Sequence, residues 1–158
     1  MEVRKYKLKE IARTGSGGTP KSSVQEYYVN GTIPWINSGE LNQPFIAKPK
    51  NFITKKGLEN SNARIYPSNT ILLAMYGATA GKVSLLQVEA CTNQAICAII
   101  PNESFIIPLY FKYKLDTLYN YLVGLSIGSA RDNLSQVGIS NLEISIPDLS
   151  IQNVAERK

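Results

Sequence analysis

The chain has 158 residues, is 44% hydrophobic and 18% charged, and carries a formal charge of +5, the profile of one globular domain with room for a real core. It holds no histidine and two cysteines, which excludes Ser-His-Asp and Cys-His catalysis and the commonest zinc sites. No apolar run is long enough to cross a bilayer, and Met1–Lys5 leads into no apolar signal core.

In chain order, Lys7–Ala12 reads as a short helix with Leu8, Ile11 and Ala12 turned inward. Gly15–Lys21 follows as a loop, because glycines and a proline defeat both helix and strand. Ile33–Asn37 is a short strand whose Pro34 marks an edge or a strand start. Ser38–Leu41 turns the chain. Thr54 is placed to cap a brief helix over Lys55–Asn60. After a turn at Tyr66–Asn69 come three apolar, β-rich runs, Thr70–Tyr76, Lys82–Val88 and Asn93–Ile100. Their short connections predict neighbouring antiparallel strands.

Pro108–Val123 reads as one longer helix. Pro108 suits its first turn, and Phe111, Leu115, Leu118 and Leu122 form an apolar stripe beside the tyrosines Tyr110, Tyr113 and Tyr121. Gly124 and Gly128 are its stop signals. A polar loop, Gly128–Asn133, precedes a helical turn within Leu134–Leu142. Glu143–Pro147 alternates as a strand, and Ile151–Lys158 reads as the opening of a further helix. The sum is an α+β fold: a mainly antiparallel twisted sheet, short peripheral helices, one longer helix near 108–123 and the start of a C-terminal helix.

The most informative stretch is Ile71–Val83, an apolar strand broken by Gly77 and Gly81 with Tyr76, Thr79 and Lys82 at the break. It approaches the phosphate-binding P-loop and fails it. Three residues separate the glycines where four are required, and Val83 stands where a magnesium-binding hydroxyl belongs. A polar, basic tip on a stiff strand is instead a place for recognition. Cys91 and Cys97, six residues apart on an extended segment, face one side and lie too far apart to pair without a bend. They read as small buried apolar groups of a protein from a reducing cytoplasm.

Seven segments stand in this order along the chain: Tyr6-Lys7-Leu8 through Ile11-Ala12, Gly18-Thr19-Pro20-Lys21, Ile33-Pro34-Trp35-Ile36, Ala74–Val83, Asn93-Gln94-Ala95-Ile96, Asn133-Leu134-Ser135 and Ile144-Ser145-Ile146-Pro147. Together they span almost the whole chain and resemble the target recognition domain of the DNA-specificity (S) subunit of Type I restriction–modification systems. The resemblance implies one recognition domain over residues 1–150 and, over 151–158, the stub of a spacer or dimerisation helix. Full subunits of this family resemble two such domains in tandem, so a second domain or a second copy is an implied partner.

The resemblance further implies a non-enzymatic, cytoplasmic component that reads one half of a split site in double-stranded DNA. It would position a methyltransferase (M) subunit and, through it, a restriction (R) subunit. The methyl donor and ATP belong to those subunits, so no cofactor is expected here. The chain itself carries no Asn/Asp-Pro-Pro-Tyr methyltransferase motif, no dinucleotide fingerprint and no carboxylate cluster of a nuclease. An assembly subunit acting as a homodimer and a general nucleic-acid-binding module stand as alternatives.

Phosphate contacts hold register and base-edge contacts carry sequence information. Candidates for the first are Lys21, Lys48, Lys50, Lys82 and Arg131, with backbone N–H groups of the glycine loops. Candidates for the second are Asn37, Ser38, Gln94, Arg131 and Asn133, because Asn and Gln pair with adenine and Arg with guanine. Tyr76 and Thr79 would meet a thymine methyl or a phosphate. Each has a structural counter-reading. Asn37 and Ser38 would close a turn, Asn93 and Gln94 would satisfy buried backbone, Asn133 would cap a helix, and Trp35 would anchor the core.

Overall fold

The computed structural model describes residues 2–127 and 134–156. Strand β1 (Val3–Lys7) runs straight into helix α1 (Leu8–Ile11) and strand β2 (Ala12–Gly15). Leu8 and Ile11 are buried, as the helical spacing predicts, while Ala12, expected as the helix's last residue, is buried as the first residue of β2. Strand β3 (Ile33–Ile36) leads into a 3-10 turn at Ser38–Asn42, followed by the two-residue strands β4 (Phe45–Ile46) and β5 (Phe52–Ile53). Helix α2 (Lys55–Glu59) begins at Thr54, whose hydroxyl accepts from the Gly57 N–H at 3.1 Å, the cap the sequence predicts. Strands β6 (Ile71–Ala74), β7 (Val83–Leu86), β8 (Cys91–Thr92) and β9 (Ile96–Pro101) follow.

Then come helices α3 (Pro108–Asp116), α4 (Tyr119–Leu125) and α5 (Gln136–Ser140), strand β10 (Glu143–Pro147) and helix α6 (Leu149–Glu156). The helix expected over 108–123 is therefore two. At the break the Thr117 hydroxyl donates to the Lys114 carbonyl at 2.6 Å, and Leu118 leaves helical geometry at φ −95°, ψ 7°. A side-chain hydroxyl competing for a helix carbonyl favours such a bend, and the bend keeps Leu118 packed on the core. Gly124 lies inside α4 and does not end it. Helix α6 starts two residues ahead of the expected Ile151.

A five-stranded sheet in the order β2-β9-β6-β7-β4 forms the body. Its pairings are antiparallel except β4 with β7. Strand β6 is buried on both faces, which explains its unbroken apolar run. Ile71 and Leu73 enter a core built with Phe111, Leu115 and Leu122 of the helices, while Leu72 and Ala74 enter a second core with Ile36, Leu41 and Leu86. The expected antiparallel neighbours hold with one refinement: β9 pairs with β6 on the side opposite β7.

In a smaller sheet, β5-β3-β8, Trp35, Ile53 and Cys91 build a third core with Ala63, while Ile36 reaches the second. Here β3 is the central strand, so its proline marks a strand start rather than an edge. Pro34 pairs with β5, and the parallel partner β8 joins only from Trp35 onward. The remaining pair, β1 with β10, is an antiparallel ribbon. Cys91 and Cys97 are both buried but occupy different cores, because the chain turns at Asn93–Ala95 between β8 and β9. Burial pushes their thiols up to about 11 and about 12 respectively, so neither is a nucleophile near neutral pH.

Candidate nucleic-acid interface

Four loops meet at one end of the strand framework. They are Gly17–Lys21, Asn37–Leu41, Tyr76–Lys82 and Asn93–Ala95, and hydrogen bonds knit them together. The Thr79 hydroxyl donates to the Ser38 carbonyl at 2.7 Å. The Asn93 amide donates to Asn37 Oδ1 at 3.2 Å, and its own oxygen accepts from the Ala95 N–H. The Thr19 hydroxyl donates to Gln94 Oε1 at 2.5 Å. The Gly18 N–H donates to the Thr92 carbonyl and the Gly18 carbonyl accepts from Trp35 Nε1, both at 3.0 Å.

The Tyr76–Lys82 loop owes its shape to two left-handed residues, Gly77 at φ 88° and Gly81 at φ 87°. Gly81 returns its N–H to the Ala74 carbonyl at 2.8 Å, and Ala74 bonds back to Lys82 at 3.0 Å, so the loop closes as an extension of the β6–β7 hairpin. Only glycine takes this conformation without a steric cost.

Sequence-predicted residues divide into an outer and an inner set. Tyr76 is 53% exposed; Lys21, Lys82 and Gln94 also face solvent. Asn37 and Ser38 are half-buried at the edge of the cluster. Thr79 is buried with its hydroxyl engaged by Ser38, so it stands as a brace of the tip rather than an outward contact. The Gly18 N–H is likewise engaged within the fold and is not an open phosphate donor. Trp35 is a core anchor packed with Ile53, Ala63 and Cys91. Lys48 and Lys50 are exposed on the connection from β4 to β5, off this loop set. Arg131 and Asn133 lie outside the described residues. The helix that Asn133 was expected to cap, α5, is capped instead by Ser135, whose hydroxyl accepts from the Gly138 N–H at 3.1 Å.

Glu40 is the sole acidic residue of the four loops, and it is turned inward, 8% exposed. Its Oε2 accepts from the Asn37 N–H at 3.0 Å, while its Oε1 is buried with no partner among the described residues. The spacing Asn37-x-x-Glu40 is the signal that reveals it, an N-cap followed three residues later by glutamate. The outward surface of the tip is therefore polar and basic, with no exposed carboxylate among its own residues. Beyond Lys82 it continues into a groove of about 330 Å³ lined by Asn42, Gln43, Lys112 and Tyr119. Lys112 is held there by Asp116 at 2.7 Å and lies over the rings of Phe45 and Tyr113.

Comparison with known proteins bears on this arrangement. The family model for the Type I restriction modification DNA specificity domain matches residues 1–155. The Type I restriction enzyme MjaIX specificity subunit of Methanocaldococcus jannaschii is 32% identical over 145 residues, covering 89% of this chain and 33% of that protein. The EcoR124I/EcoR124II specificity subunit of Escherichia coli is 30% identical over 109 residues, 67% of this chain and 27% of that one. The HsdS subunit from Thermoanaerobacter tengcongensis superposes with a TM-score of 0.75 over 98% of this chain and 35% of its own, at 16% identity. An S subunit from M. genitalium gives 0.71 over 99% and 37%, also at 16% identity; at such identity the likeness speaks for the fold. The chain spans about a third of the length of these relatives. With a family match running from its first strand into its last helix, this chain belongs to the Type I restriction modification DNA specificity domain family.

Proposed function

We propose that this chain reads the sequence of double-stranded DNA as one recognition domain of a Type I restriction–modification specificity component, one domain per half of a split target. Methyltransferase and restriction subunits are then held in register with the site it selects, and a second domain or a second copy reads the other half. The observation that carries this reading is the convergence of four braced loops into a tip whose exposed groups are amides, a phenol and lysines, with its one carboxylate turned inward. Such a surface is attracted to phosphates by charge and offers hydrogen-bond donors and acceptors of the kind that pair with base edges.

Asn37, Ser38, Tyr76 and Gln94 are the proposed base-edge contacts, and Lys21 and Lys82 the phosphate contacts. Arg131 and Asn133 extend the reading set, while Thr79 acts through Ser38. Gln94 already accepts from Thr19, so its amide N–H groups are what it offers to a base. Bond-making is assigned to partner subunits: the chain has no histidine and its two thiols are buried and protonated. A cytoplasmic setting is part of the same proposal. Among the described residues no helix is long and apolar enough to cross a membrane.

Selection of bound sequences from a random duplex pool, with and without the cognate methyltransferase subunit, tests the reading. Enrichment of a defined half-site is the expected result; equal retention of all duplexes, or preference for single strands, refutes it. With about five phosphates neutralised, log K falls against log salt with a slope of about −4 to −5.

A further inference from the structure

Gln152 on helix α6 is fully buried, far from the loop tip in sequence and function. Its Oε1 accepts from the Ile107 N–H at 2.8 Å. Its Nε2 donates to the Phe105 carbonyl at 2.9 Å and to the Pro147 carbonyl at 2.9 Å. Both amide hydrogens and the amide oxygen are thereby engaged, and all three partners are backbone groups. Two belong to the segment entering α3 and one to the last residue of β10.

Side chain–backbone bonds of this kind fix direction as well as position, because a planar amide meeting three groups on two segments admits one orientation. Apolar contact alone would let a short helix roll. Helix α6 is capped locally at its start, where Asp148 Oδ1 accepts from the Ser150 hydroxyl at 2.6 Å and from the Ile151 N–H at 3.3 Å. Beyond the amide, α6 packs on α3 and α3 packs on β7. Strand β7 follows directly on Lys82 of the tip. The path from α6 to the proposed reading face thus runs through packed elements, with Phe111 and Leu115 of α3 sharing one core with Val83 and Leu85 of β7.

We propose that Gln152 is a positioning residue. It locks the direction of helix α6 to the recognition body, so that DNA register at the loop tip is passed on as a fixed orientation of whatever engages α6. This rests on the reading of the tip as a DNA-binding face. It goes further in naming the joint through which recognition is converted into placement. Misplacing a reacting group by about 1 Å can cost on the order of 100-fold in rate, so a loose joint is felt in the partner's chemistry before it is felt in binding.

The experiment uses the 158-residue chain with nitroxide labels at Gln87→Cys and Asn153→Cys, both exposed positions; the buried native thiols stay unlabelled. Pulsed dipolar spectroscopy then reads the distance distribution between body and α6. The parent gives a narrow distribution. Gln152→Leu leaves three backbone groups unpaired and is expected to at least double the width, while duplex affinity stays within about twofold of the parent. Gln152→Glu keeps the acceptor for Ile107 but turns a carboxylate on two carbonyl oxygens, so it is expected to broaden the distribution at least as much as leucine; Gln152→Met, which removes the amide at matched length without adding charge, decides the matter if the leucine variant fails to fold. An unchanged width in the folded variant overturns the proposal. So does a loss of DNA affinity in proportion to the broadening, which marks general destabilisation. If the parent itself binds no duplex, the functional reading of the tip fails while the width comparison still reports on the joint.

Discussion

Two loops at the tip of this molecule use glycine for opposite reasons. In the Gly17–Lys21 loop the glycines are buried and have no left-handed φ. A Cβ on Gly17 would lie on the backbone carbonyls of Thr92 and Asn93, and one on Gly18 would meet the backbone at Asn62–Ala63. Glycine there permits contact. In the Tyr76–Lys82 loop a Cβ on Gly77 would face open space and one on Gly81 would first meet Val123 and Leu122, yet both glycines are left-handed. Glycine there permits a turn. One loop is a clamp that fixes the β8–β9 turn; the other presents Tyr76 and Lys82 to solvent.

The comparison can be broken most forcefully at the clamp. Gly17→Ala forces apart two backbone segments and is expected to destabilise the fold by about 3 kcal/mol, seen as a lowered denaturation midpoint. A midpoint within error of the parent would mean that the clamp yields freely. Next in size are the turn glycines. Gly77→Ala is expected to cost about 1–2 kcal/mol through its φ alone, with no packing clash. Gly81→Ala costs more, since the added methyl must also displace Val123; equal losses for the two would contradict the distinction.

Thr79→Val probes the brace between the outward loop and the Ser38 turn. It removes the bond at 2.7 Å at about 1 kcal/mol and is expected to weaken every DNA sequence by a similar factor. Selective loss at one base position would instead place Thr79 at the DNA. The smallest effect on the fold belongs to Lys82→Ala, an exposed residue. Its melting temperature should not move, while the slope of log K against log salt becomes shallower by about 1. An unchanged slope removes Lys82 from the phosphate contacts.

Much of the architecture was legible in residue order. The strands of Thr70–Tyr76 and Glu143–Pro147, the Thr54 cap and the inward Leu8 and Ile11 all follow from local spacing and capping chemistry, and all are present. The break between α3 and α4 was not legible, because Phe111, Leu115, Leu118 and Leu122 keep helical spacing across it and the bend is made by one hydroxyl at Thr117. The separation of Cys91 from Cys97 was hidden for a related reason: a three-residue turn resets which face a side chain takes.

The candidate site was legible as a list and not as an arrangement. Tyr76, Lys82, Lys21 and Gln94 were named from residue type and reach the surface together. Thr79 was named by the same criterion and is turned inside. Glu40 went unnamed, although its capping spacing was present to be read.

By itself the sequence determined the main strands of the body, the Thr54 cap, the family resemblance and the absence of histidine chemistry, since each of these rests on residue identity or on neighbours within one element. Tertiary structure alone decided which polar groups face outward. Those decisions are made by hydrogen bonds spanning 41, 56 and 75 residues, whose partners are chosen by sheet register and loop closure rather than by any local period.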